Sequence, residues 1–134
     1  MTFLVDTNVL SELTKRRPNP GALAWLSAQG SLTISVITLD ELTFGALRAR
    51  PEQRPRLLSW LDSLVAGCHA ICPVDERIAR LAGQLRAACA DRGRPVTQAD
   101  MLLAATALLG GHILATCNVR DFRHCGVRML DPFS

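Results

Sequence analysis

The sequence has no tyrosine, few other aromatic residues and a single lysine, Lys15. Without an aromatic platform, base stacking is excluded as the main source of any nucleic-acid affinity. No glycine-rich loop ends in Gly-Lys-Ser or Gly-Lys-Thr, which removes a P-loop nucleotide site. No apolar run is long enough to span a bilayer without polar interruption, and the N-terminus lacks a basic segment followed by a cleavage site. The expectation is a soluble, cytoplasmic protein that makes no use of a membrane. A disulfide framework is not indicated either. The five cysteines are odd in number and sit in apolar or mixed surroundings, as reduced thiols do. Cys117, His124 and Cys125 match no common zinc-ligand spacing.

What is present is a chain of 134 residues, 49% hydrophobic. That is enough for one compact domain with a real core and too little for two, so residues 1–134 are expected to form a single domain. The net charge of +3 is mild, and arginine supplies nearly all of the positive charge. Arginine suits bidentate contact with phosphate.

Apolar and β-branched runs predict strands at 2–5, 32–36, 69–72 and 112–116, with a last one at 127–130. Helical periodicity predicts helices at 7–16, 20–30, 38–49, 53–66 and 75–91. Residues 98–109 are apolar almost all round, so that helix should be central. Strands alternating with helices imply an α/β fold, a three-layer α/β/α sandwich around a central, mainly parallel sheet. In such sheets ligands sit beyond the carboxyl ends of the strands.

Four acids fall near such ends: Asp6, Glu41, Asp100 and Asp121. Each has an ordinary explanation. Asp6 can cap the helix that follows it. Thr38-x-x-Glu41 and Thr97-x-x-Asp100 read as capping boxes, and Asn118-x-x-Asp121 as a looser one. Taken together they read differently. Helices that follow parallel strands start at one edge, which brings Asp6, Glu41 and Asp121 to a common rim. Asp100 joins them if its helix points its N-terminus there. Crowded carboxylates repel, and a divalent cation relieves the repulsion. Oxygen ligands of this kind suit Mg²⁺ or Mn²⁺ better than zinc.

The succession "LVDTNVLSE", "ELTFG", "ADMLLAATA" and "TCNVRDF" resembles a PIN-domain ribonuclease, specifically a VapC-type toxin of a bacterial type II toxin–antitoxin pair. The similarity covers the whole chain, and its first and last motifs are the most specific. The resemblance implies a PIN-like fold and Mg²⁺-dependent endonucleolytic cleavage of RNA, with Mn²⁺ able to substitute. It also implies inhibition by a small antitoxin and self-association as a dimer. The family's acidic positions fall on Asp6, Glu41, Asp100 and Asp121, with Asp6 and Asp100 as direct metal ligands. Thr7, Asn8, Thr116, Asn118, Arg120 and Arg123 are candidates for substrate contact. Cys117 departs from the pattern, since relatives often carry a basic residue there.

Other Mg²⁺-binding acidic sites fit less well. A response-regulator receiver needs a late lysine, and a haloacid-dehalogenase phosphatase needs an aspartate where Asn8 stands. The alternative from another class is a catalytically silent PIN fold that only binds RNA or protein, against which the four intact acids argue. Arg92 and Arg94, in "RGRP", read as solvated surface. Trp60 lies just off its helical stripe, at the edge of the core or against a partner.

Overall fold

The computed structural model describes residues 2–134. Five short strands, β1 (Phe3–Val5), β2 (Thr33–Ser35), β3 (Ala70–Cys72), β4 (Ile113–Ala115) and β5 (Met129–Leu130), form one sheet in the order β3-β2-β1-β4-β5. Every pairing is parallel. Seven helices surround it: α1 (Thr7–Leu10), α2 (Pro20–Ala28), α3 (Val36–Arg48), α4 (Arg54–Gly67), α5 (Glu76–Asp91), α6 (Gln98–Gly110) and α7 (Val119–Phe122). Among the described residues no helix is long and apolar enough to cross a membrane.

Strand alternation builds the three layers. Leu4 enters a core with Leu114, Met101, Leu103, Ala104 and Phe122. Its neighbour Val5 enters the opposite core with Val9, Leu10, Ile34, Leu42 and Leu61. Helix α6 is the central one, as its composition predicts: Met101, Leu103, Ala104, Ala105 and Ala107 are all buried. It stops at Gly111, whose positive φ gives the left-handed turn that a helix end favours.

The path of α5 decides what reaches the carboxyl edge of the sheet. Asp75, Arg77 and Ile78 border one pocket with Gly110 and His112, so the start of α5 lies beside the end of α6. The two helices pack as a hairpin. Because α6 ends just before β4 begins, its N-terminus, and the loop at 92–97, lie at the carboxyl edge of the strands.

The structure corrects several boundaries. The helix expected at 7–16 is α1 followed by a 3-10 turn at Ser11–Thr14. Hydroxyls drive the change: Ser11 Oγ donates to the Thr7 carbonyl and Thr14 Oγ1 to the Ser11 carbonyl, competing with the regular ladder. Helix α3 begins at Val36, not 38, because Ser35 Oγ accepts the Ile37 N–H. Thr38 is therefore no cap. It lies fully buried inside α3, and its Oγ1 has no partner among the described residues. The last strand is shortened to two residues, and the helix implied by Asn118-x-x-Asp121 is the four-residue α7, without a side-chain cap.

One buried acid belongs to this scaffold and not to the carboxyl edge of the sheet. Glu12 is 4% exposed. It pairs with Lys15, and its Oε1 accepts the Asn19 N–H at 2.8 Å, just where the chain enters α2. Lys15 and the Asn19 amide hold its pKa below the ordinary 4.5. A lowered carboxylate value contributes stability that is present above 4.5 and is lost as pH falls through the folded-state value. Glu12→Gln should therefore cost about 2 kcal/mol at neutral pH, the scale of hydrogen bonds to a charged group. The difference from wild type should shrink in acid. Urea unfolding midpoints across that pH range measure it, and a penalty that does not change with pH would mean that shape, not charge, matters at Glu12.

Candidate active site

β1 delivers Asp6 to the carboxyl edge, anchored by its own N–H on the Ala115 carbonyl of β4 at 2.9 Å. The side chain is 4% exposed. Its Oδ1 accepts the Thr7 N–H at 2.7 Å, so Asp6 does cap α1. Its Oδ2 accepts from Thr116 Oγ1 at 2.8 Å and from Asn8 Nδ2 at 3.0 Å. Asn8 Nδ2 also lies 3.3 Å from Thr116 Oγ1, and Asn8 Oδ1 accepts the Cys117 N–H. Thr116 Oγ1 in turn accepts the Asn118 N–H. One network thus ties the end of β1 to the end of β4.

Burial pushes the Asp6 pKa above its ordinary 3.8, and the Glu41 charge adds to the rise. The hydrogen bonds from Thr116, the Thr7 amide and Asn8 oppose it. Glu41 stands in the second turn of α3, exposed at the rim, and its Oε1 accepts from Thr7 Oγ1 at 2.7 Å. Asp100 lies in the first turn of α6, which Thr97 caps by accepting the Asp100 N–H. Half-buried, Asp100 is pushed up to about 6, first by burial and then by the charge of Asp6, with Asp121 and Glu41 adding to it. Asp121 is exposed on α7. Asn118 makes no side-chain cap; the Asp121 N–H goes to the Asn118 carbonyl instead.

The four sequence-predicted acids therefore act on one another across a single rim. Among the described residues no three His, Cys, Asp or Glu side chains close round a common point as a metal cage would. An open group of oxygen donors, two of them with raised pKa, fits a hard divalent cation that keeps several waters. It does not fit a closed zinc site.

The polar candidates divide by what they already do. Thr116 is fully buried, and Asn8 uses its amide on Asp6, Thr116 and Cys117. Arg120 and Arg123 are exposed and make no ion pair among the described residues. At Cys117 burial and the nearby acids Asp131 and Asp6 raise the thiol pKa, so this position supplies no charge to a phosphate. The sequence offered no sign that Arg94 would meet His124, thirty residues away, beside this rim.

Known proteins share this arrangement. The PIN domain pattern matches residues 3–127. VapC ribonuclease Y4jK of Sinorhizobium fredii is 35% identical over 98% of this chain and 97% of its own. The tRNA(fMet)-specific endonuclease VapC of Shigella flexneri is 32% identical over 94% of this chain and 93% of its own. The crystal structure of FitAcB from Neisseria gonorrhoeae contains a chain that superposes with a TM-score of 0.90 at 29% identity, covering 98% of both chains. With its acids gathered at the carboxyl edge of a parallel sheet, the chain belongs to the PIN-domain family, on its VapC ribonuclease branch.

Proposed function

We propose that residues 1–134 act as one PIN-like nuclease domain, a Mg²⁺-dependent endoribonuclease that serves as the toxin of a toxin–antitoxin pair. The observation that carries the reading is the convergence of Asp6, Glu41, Asp100 and Asp121, which leaves Asp100 short of counter-charge and raised to about 6. The relatives' names supply RNA as substrate, and the oxygen-only donor set supports Mg²⁺, with Mn²⁺ as a substitute.

Asp6 and Asp100 would hold the ion. When bound, it supplies positive charge that shields the scissile phosphodiester and makes water a better nucleophile. The protein's own part is placement. Thr116, Asn8 and the Thr7 amide fix the Asp6 carboxylate in one orientation. Thr7 does the same for Glu41. In this reading Glu41 and Asp121, both exposed at the rim, would accept a proton from the attacking water. Asn118, Arg120 and Arg123 lie on the same side and are open to the substrate backbone. Thr7, Asn8 and Thr116 are positioning residues, since their polar groups are engaged within the protein.

A partner surface adjoins the acids. Ser11, Leu42, Gly45, Leu57 and Trp60 line a groove between α3 and α4 that opens at Glu41, which places Trp60 at the core edge and on this groove. On the neighbouring strip of α3, Phe44 is 65% and Leu47 51% exposed. An antitoxin suited to this surface lays an amphipathic segment in the groove and brings a basic side chain to the carboxylates. The same reading includes pairing of the toxin with a second copy of itself.

Asp6→Asn or Asp100→Asn should lower RNA cleavage by roughly a hundredfold or more, the scale on which single electrostatic contacts act in active sites. Circular dichroism should stay unchanged. Full cleavage by either folded variant would remove the assignment of these two residues to the metal.

Stability should report the same repulsion. A carboxyl whose folded value is raised leaves folding unpenalised below its ordinary 3.8 and destabilises progressively as pH rises toward about 6. In metal-free protein at neutral pH, Asp100→Asn should therefore be more stable than wild type. The gain should be of order 1 kcal/mol, because solvent screens a half-buried group. The advantage should vanish in acid. Mn²⁺ at about 100 times its dissociation constant should add about 2.7 kcal/mol to wild type and much less to the variant. Thermal melts with and without chelator decide this. A wild type that gains nothing from Mn²⁺ would leave the four acids without a metal to hold.

Antitoxin and Mg²⁺ should compete. If a basic side chain replaces the ion among the carboxylates, raising Mg²⁺ at fixed ionic strength weakens the complex, because coupling between two ligands is reciprocal. Calorimetric titration with the antitoxin measures it. An affinity indifferent to Mg²⁺ would place the inhibitor outside the metal site.

A further inference from the structure

The turn between α5 and α6 gathers positive charge that meets no acid in an ion pair among the described residues. Helix α5 ends at Asp91, and Gly93 follows with φ of +70°. This left-handed turn sends the Gly93 N–H back to the Ala90 carbonyl and the Arg94 N–H back to the Cys89 carbonyl at 2.9 Å. Arg92 and Arg94 are therefore presented from an ordered turn. Across from them, the segment after α7 carries Arg123 and His124, and Arg94 Nη1 meets His124 Nε2 within hydrogen-bond distance. A guanidinium can only donate, so the imidazole nitrogen must accept, and the ring there is neutral. Arg94 first, then Arg123 and Arg92, hold the His124 pKa below its ordinary value. None of the three arginines makes an ion pair among the described residues.

Arginines brought together across thirty residues of sequence, none of them ion-paired to an acid among the described residues, are suited to an anion. Their position says which. The turn leads through Pro95 and Val96 to Thr97, the cap of the helix that carries Asp100. Arg123 and His124 directly follow the helix that carries Asp121. The group thus flanks the acidic rim on its β4 side, while the apolar groove flanks it on the β2 side. A polyanion whose scissile phosphate sits among carboxylates needs cationic contacts just beyond them.

We propose that Arg92, Arg94 and Arg123, grouped around His124, form a phosphate-binding shelf that holds the RNA strand next to the scissile phosphate. The proposal rests on the ribonuclease reading above. The shelf positions substrate by its backbone and carries no base readout.

The test uses a fluorescein-labelled, mixed-sequence single-stranded RNA and the full chain with EDTA, so that binding is read without cleavage. Arg92→Gln, Arg94→Gln and Arg123→Gln are made singly and together. Arg77→Gln, beside the end of α6 at the opposite edge, is the control. Each loss should lower the slope of log affinity against log salt by about 0.7, the value for one phosphate contact on a single strand. The control should leave the slope unchanged. With Mg²⁺ present, KM for RNA cleavage should rise in the triple glutamine variant while kcat stays near wild type. The triple lysine variant should recover most of the affinity, which separates lost charge from a damaged turn. A triple glutamine variant that binds and cleaves like wild type would return these arginines to plain solvated surface. One that keeps RNA binding but loses the antitoxin would make the shelf a protein contact, and the proposal would fall. Wild type that neither binds nor cleaves any RNA would overturn the ribonuclease reading itself, a failure distinct from that of the shelf.

Discussion

Everything at the carboxyl edge of this sheet depends on holding a buried carboxylate in place. Asp6 is almost inaccessible, yet it must be available as an anion. Burying a lone carboxylate costs several kcal/mol unless donors replace the lost water. Here the donors come from the Thr7 amide, from Asn8 and from Thr116. Only Thr7 and Asn8 are local. Thr116 arrives from β4, so Asp6 is satisfied only when β1 and β4 are paired in the observed register, with Val5 opposite Ala115. Strand pairing and site assembly are one event.

The same logic explains why the acids are not alike. Asp6 and Asp100 are withdrawn from water, and Asp6 also feels the charge of Glu41 while Asp100 feels that of Asp6, so both resist ionisation. Glu41 and Asp121 stand further out, exposed. An inner pair short of counter-charge and an outer pair facing solvent make a gradient of affinity for a cation. In the proposed reading the inner pair would hold the ion, and the outer pair would face water and substrate. A tighter cage would bind metal more strongly but leave less room for a phosphodiester.

The sequence was legible where signals were local and strong. The apolar stretch of α6, the alternation of strands and helices, and the parallel sheet followed from pattern. The rule that helices following parallel strands start at one edge pointed to Asp6, Glu41 and Asp121; Asp100 reaches the same edge only because α6 returns antiparallel to α5 in a hairpin. What pattern could not supply was hydroxyl competition and long-range contact. Thr38 looks like a cap, yet Ser35 holds the true start of α3, because a hydroxyl two residues before the Ile37 amide reaches it first. Ser11 and Thr14 draw the chain after α1 into a 3-10 turn that periodicity does not register. Arg94 and His124 are uninformative singly, and only the hairpin of α5 and α6 brings them together.

RNA and an antitoxin make opposite demands on one acidic rim. RNA brings negative charge and needs cations both among the carboxylates and beyond them. An antitoxin must bring positive charge to the carboxylates and needs apolar surface beyond them. The sheet order separates the two requirements in space. β1, with Asp6, lies in the middle; β2 leads into α3 and the apolar groove, and β4 leads into α7 and the arginines. In the proposed reading the two ligands would therefore overlap at the acids and diverge on the flanks. Overlap would then make inhibition competitive, since neither ligand could occupy the carboxylates while the other did. Divergence allows each flank to change its preference, in RNA on one side and in antitoxin on the other, without disturbing the charge arrangement at the centre.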